Sequence, residues 1–132
     1  MDLARIEAMT APDAAPIAWI QDGQRPDGGF PGFWSGGASS VDATCFRLGQ
    51  AECVPRYWKL PAVGRGLDFL SARQAPGTPE DQGGWWEEDP AFGGTVPPWL
   101  SPGAPEPRLY LTANAGSRVL LGGRRLCRAA LG

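Results

Sequence analysis

The sequence predicts an all-α fold of αα-hairpin repeats joined by long Gly/Pro-rich loops, and three observations predict it. A motif recurs at an interval of fifty residues; four segments carry apolar residues at helical spacing between start and stop signals; and the prolines fall between those segments or at their starts.

The repeat sets the organisation. Trp19-Ile20, then Gln24, then Gly28-Gly29-Phe30 matches Phe69-Leu70, then Gln74, then Gly83-Gly84-Trp85. Trp19 and Phe69, like Gln24 and Gln74, stand fifty residues apart, and only the loop before the glycine pair differs in length. One domain, residues 1–132, is expected, with a first unit at about 14–51 and a second at about 61–121.

Each element then has its own reason. Asp13 can cap the first helix, with Pro16 near its start where a fixed φ and a missing N–H are tolerated, and Ile17, Ile20 and Gln24 share a face. Ser39 or Ser40 can cap a partner helix from Val41 to about Ala51, in which Val41, Cys45 and Leu48 form a stripe. The second unit opens near Pro61, with Val63, Leu67 and Leu70 at i, i+4 and i+7 and a stop at Pro76-Gly77. Its partner helix is expected from about Pro107 to Leu121, with Leu109, Ala113, Gly116 and Leu120 as the packing stripe. Eight prolines from Pro76 to Pro107 exclude a helix between the last two segments. Trp85, Trp86, Phe92 and Trp99 in that stretch argue for an ordered, packed loop.

Composition narrows the function classes. Gly 19 and Pro 14 make a quarter of the chain, but six Trp and 42% hydrophobic residues supply the burial that disordered sequences lack. A net charge of −2 leaves no basic face for nucleic acid. Arg124, Arg125 and Arg128 read as a solvated tail that leaves peripheral contact with an anionic lipid surface open. Three cysteines, Cys45, Cys53 and Cys127, without CxxC spacing imply reduced thiols rather than a disulfide framework or a zinc site. Met1 to Met9 has no apolar core of a signal peptide, and no stretch approaches the ~20 apolar residues of a membrane span, so cytoplasmic residence is expected. With no histidine, a Ser/His/Asp triad, His-ligated zinc and an imidazole base are all excluded; no metal or cofactor is expected.

The doubled pattern resembles the QW motif of squalene and oxidosqualene cyclases and related prenyltransferase-type α/α toroids. Arg65 to Gln74, closed by Gly84-Trp85-Trp86, looks like one copy, and Ala18-Trp19-Ile20 to Gln24 with Asp27-Gly28-Gly29-Phe30 is similar but ends in Phe. The resemblance implies hairpins arranged as part of a ring around a cavity lined by aromatics that receive isoprenoid chains. Two hairpins are fewer than the three or more that such stacks need, so a fragment, a divergent short form or an oligomer completing the stack is implied. Independently of the family, a glutamine at a helix end can bond unpaired backbone groups while the next aromatic packs over the turn. Gln24, Gly28, Gly29, Phe30, Gln74, Gly83, Gly84 and Trp85 are therefore read as structural.

Candidate chemistry is sparse. Laid on the Asp-x-Asp-Asp-Thr segment of the cyclases, Ser40-Val41-Asp42-Ala43-Thr44 puts Asp42 on the proton-donating aspartate, while Ser40 and Ala43 replace the flanking ones. Without like charges beside it, Asp42 is expected to stay ionised and cap the helix dipole. Glu87-Glu88-Asp89 offers paired carboxylates but reads as a solvated loop, with no second acidic cluster to complete a diphosphate-binding metal site. Trp34, Tyr57, Trp58, Trp86, Trp99 and Tyr110 can line a pocket for an apolar chain, where ring faces stabilise a carbocation. The absent histidine sets the chain apart from protein prenyltransferases, and the absent Gly-Cys-Gly-Glu-Gln thioester from complement-type relatives. Three readings follow: a terpenoid-cyclase- or prenyltransferase-like protein acting on isoprenoids, a non-catalytic helical-repeat binding module, or a truncated non-functional product.

Overall fold

The computed structural model describes residues 14–75, 83–87, 97–100 and 105–123. Over these the chain is mainly helical: α1 Ala14–Gln21, α2 Val41–Glu52, the single turn α3 Pro55–Trp58, α4 Pro61–Arg73 and α5 Pro105–Leu121, with a 3-10 turn at Pro98–Leu100. No helix among the described residues is long and apolar enough to cross a membrane. Asp13, Pro76-Gly77, Glu88-Asp89, Phe92, Met1 to Met9, Cys127 and the three terminal arginines lie outside the described residues.

A purely helical chain is corrected by a short antiparallel ladder, β1 Phe30–Pro31 on β2 Ser39–Ser40, in which Phe30 pairs with Ser40 and Pro31 with Ser39. Ser35, buried in the connecting turn, closes it: its Oγ accepts from the Gly32 N–H at 3.0 Å and donates to the Ala38 carbonyl at 2.6 Å. The ladder ends where α2 begins. Ser40 sits at the N-cap with extended backbone, and its Oγ accepts from the Ala43 N–H at 3.1 Å, one of the donors a helix start leaves unpaired.

The core is built around α2, which touches α1, α3, α4, α5 and β1. Its stripe of Val41, Cys45 and Leu48 is fully buried, as are Val63, Leu67 and Leu70 of α4. Each large apolar side chain so enclosed contributes ~1.5–3 kcal/mol relative to exposure. Pro61 starts α4 at its first position, where proline is preorganised. The turn α3 was not anticipated; it places Tyr57 in the core.

The last helix departs most from expectation. It begins two residues earlier than predicted, and the stripe it buries is Pro107, Leu111, Ala115, Gly116 and Val119. Leu109, Ala113 and Leu120 are exposed, Leu109 at 72%, so of the predicted stripe only Gly116 is inside. Leucines occur on both faces of this segment, and tertiary anchors choose between them: Thr112 and Arg118 are held by the rest of the fold through hydrogen bonds to Trp85 and Cys45.

Candidate functional site

The two glutamine turns make the same bonds. Gln24 Nε2 donates to the Gly28 carbonyl at 2.9 Å, and Gln74 Nε2 donates to the Gly83 carbonyl at 2.7 Å. The following backbone N–H, of Arg25 and of Ala75, reaches the second glycine, Gly29 and Gly84, at 2.8 Å in both cases. The next aromatic is then fastened to a threonine of the following long helix: Phe30 N–H to Thr44 Oγ1 at 3.0 Å, Trp85 N–H to Thr112 Oγ1 at 2.9 Å. Gly28 and Gly83 both have positive φ, 92° and 71°, a region that glycine enters freely. The turns differ in one respect. Gln74 caps α4 directly, whereas α1 ends three residues before Gln24, correcting the expectation that both glutamines end their helices.

Each turn also has private contacts. Gln24 reaches across to α4, donating to the Ala62 carbonyl at 2.8 Å and accepting from Arg65 Nη2 at 2.9 Å. The fully buried Trp85 donates its indole N–H to the Leu70 carbonyl at 2.8 Å.

Two residues beyond Trp85 in the same extended segment, Glu87 points inward rather than into solvent, which overturns its reading as part of a solvated loop. It is 1% exposed. One carboxylate oxygen accepts from Ser40 Oγ at 2.5 Å and the other from the Val41 N–H at 2.6 Å, so Glu87 closes the N-terminus of α2 from 46 residues away. Burial pushes its carboxyl above the ordinary 4.5, against the opposing pull of the bonds from Ser40 and Val41. The Trp34 indole N–H, buried without a partner at bonding distance, faces the same carboxylate and favours its ionised form.

A folded-state value above the unfolded one means that the folded chain holds this proton more tightly. Glu87 therefore contributes stability that is complete below the unfolded value and is lost as pH rises through the folded one. Glu87→Gln removes the titration. The stability of the wild type relative to Glu87→Gln is expected to increase as pH falls through the raised folded-state value of Glu87. Urea unfolding of both proteins at each pH reads this directly, and a difference that shrinks on acidification contradicts the assignment.

Beside this cap lies a cleft of about 700 Å³ between α2 and α5, floored by Cys45 and edged by Trp19, Phe33, Trp34, Phe46 and Tyr110. Asp42 stands in its wall and accepts a 2.7 Å hydrogen bond from the Tyr110 hydroxyl. Burial, and secondly the neighbouring Asp42 carboxylate, push the Tyr110 phenol up to about 12. Burial likewise pushes the Cys45 thiol up to about 12, which leaves it an unreactive part of the floor. Arg47 and Arg118 also line the cleft, but both are engaged. Arg47 lies 4.6 Å over the Trp19 ring and donates to the Trp19 and Asp22 carbonyls; Arg118 donates to the Cys45 carbonyl and pairs with Glu52 at 3.4 Å.

The predicted aromatic set does not converge on one pocket. Trp34 and Tyr110 share the cleft. Trp99, 54% exposed, and Tyr110 border a second, more open hollow of about 600 Å³ with Pro98 and Glu106. Trp58 packs on the core, Trp86 lies under the Arg108 guanidinium at 4.6 Å, and Tyr57 is buried. Sequence reasoning missed Trp19, Phe33, Phe46 and Arg47 as cleft residues, because their neighbours are set by the ladder and by the contact of α1 with α2. It missed Glu87 too, because the helix start that holds this carboxylate lies 46 residues earlier in the chain. No group of histidine, cysteine and acidic side chains suited to a metal occurs among the described residues. No family model matches the chain, and no solved structure matches it.

Proposed function

We propose that the chain is a two-unit segment of an α/α toroid of the squalene-cyclase and prenyltransferase kind, and that its cleft binds an apolar isoprenoid-like chain. One observation carries this reading. The glutamine, glycine-pair, aromatic and threonine bonds recur in the same order in both turns, as expected if two hairpins are copies of one unit. The lining is of the right chemistry for such a ligand: ring faces supply a large apolar area and tolerate positive charge.

Asp42 is the acid that the cyclase pattern would use, and in the cleft it serves as an acceptor for Tyr110. That contact favours a second reading, a non-catalytic binding module with the same ligand class, in which the Asp42–Tyr110 pair braces the wall rather than protonating an alkene.

Titrating the intrinsic tryptophan fluorescence with geranylgeraniol or squalene tests binding, since Trp19 and Trp34 report from the cleft. A saturable change is expected, and it should be lost in Trp34→Ala while the helical circular dichroism remains. A folded wild type that gives no saturable change refutes the proposal. Mass spectrometry of the same incubations separates the two readings: cyclised product supports the enzyme, and binding without product leaves the module.

A further inference from the structure

The cleft and the second hollow lie along one face of α5. A spacing of four residues puts Glu106, Tyr110, Asn114 and Arg118 on that face, which runs about 18 Å from the first to the last. Glu106 and Tyr110 line the hollow, and Tyr110, Asn114 and Arg118 line the cleft. Tyr110 alone among the described residues belongs to both. The rest of the hollow comes from the 3-10 turn, where Pro98 and the half-exposed Trp99 offer an apolar surface that continues the aromatic lining of the cleft.

A strut stands where the two meet. Tyr110 reaches from α5 to α2, where its hydroxyl donates to Asp42 Oδ1 at 2.7 Å. The Tyr110 residue is 45% exposed, so the bond to Asp42, rather than enclosure in the core, fixes the place of its ring. Hydrogen bonds to a carboxylate oxygen are the stronger kind, and this one ties together the two helices that form the cleft.

We infer that the two hollows are one groove for an extended apolar chain, divided by Tyr110, and that this residue sets the length of chain the protein accepts. The inference rests on the reading of the cleft as an isoprenoid site and adds a length limit to it. With the strut in place, a chain lying among Trp19, Phe46 and Trp34 ends against the phenol ring. With the strut removed, the same chain continues along α5 past Pro107 to Trp99 and buries further methylene groups there. Tyr110 is in this sense a positioning residue, and Asp42 is the anchor that holds it across the groove.

Fluorescence titration with geraniol, farnesol, geranylgeraniol and a nonaprenol tests the limit. In the wild type, affinity is expected to rise with chain length and then level off. In Tyr110→Ala the rise should continue, and the ratio of nonaprenol to geraniol affinity should exceed the wild-type ratio about tenfold, the effect of burying about two more methylene groups. Asp42→Ala, which frees the phenol without deleting it, should change the ratio in the same direction and serves if Tyr110→Ala does not fold by circular dichroism. Trp99→Ala added to Tyr110→Ala should cancel the gain, because the extra length lies in the second hollow. A folded Tyr110→Ala or Asp42→Ala with the wild-type ratio overturns the inference, as does a gain that survives Trp99→Ala; both leave the isoprenoid reading standing. A wild type that binds no member of the series sinks that reading and the inference with it.

Discussion

Trp85→Ala is expected to be the most destabilising substitution that shortens a side chain in this molecule, at about 4 kcal/mol in urea unfolding. The indole is 0% exposed and belongs to the central cluster with Leu70, Leu111 and Ala115. Truncation leaves a cavity where the ring stood, since Gly116, whose missing Cβ would lie 3.8 Å from the indole edge, has nothing with which to fill it. It also strands the Leu70 carbonyl, which loses its indole donor inside the core. Trp85→Phe keeps a six-membered ring and so leaves a smaller cavity, while still losing the N–H; it should cost roughly half as much, and the first unit already has Phe30 at the matching place. With domains of this kind stable by only ~5–15 kcal/mol, the alanine variant should lose a large share of its folded population on mild heating. A loss below about 1 kcal/mol would mean that Trp85 does not anchor the core as described.

The second large effect is expected at Gly28→Ala, at about 3 kcal/mol by the same measurement. Two costs coincide there. The backbone is held at φ 92°, where a side chain is strained, and an added methyl would collide with the carbonyl of Arg65 on α4. Neither atom can move freely, because Arg65 and Ala62 are tied to the same turn through Gln24. Gly23→Ala is the control: its φ is also positive, at 79°, but nothing lies within 4 Å of the added carbon. That variant should lose only ~1 kcal/mol, the cost of the backbone conformation alone. Equal losses at the two positions would show that the close approach of the turn to α4 is not maintained in solution.

Much of this architecture could be read from local chemistry. Ser40 as the cap of α2, Pro61 as the first residue of α4 and the buried Val41, Cys45 and Leu48 stripe all depend on interactions within a turn or two of chain. Short-range physics of that kind repeats wherever the residues repeat, which is why the Gln24 and Gln74 turns could be aligned before any coordinates. The candidate site was less legible. Trp34, Asp42 and Tyr110 were singled out and do meet in one cleft, but Trp58, Trp86 and Trp99 were grouped with them only because they are aromatic. Amino-acid type reports what a side chain can do, and not which neighbour it will have.

Residue order and type alone thus specified the helices of the first unit, the start of α4 and the paired turns, since each follows from period, capping and glycine geometry. Which face of α5 lies inside, and where Glu87 points, were decided only by the assembled fold. Leu109 and Leu111 are equally apolar, and a carboxylate beside two tryptophans suits water as well as a helix end. What breaks those ties is a partner far away in the chain: Thr112 waiting for the Trp85 N–H, and the uncapped Val41 N–H that a buried carboxylate satisfies.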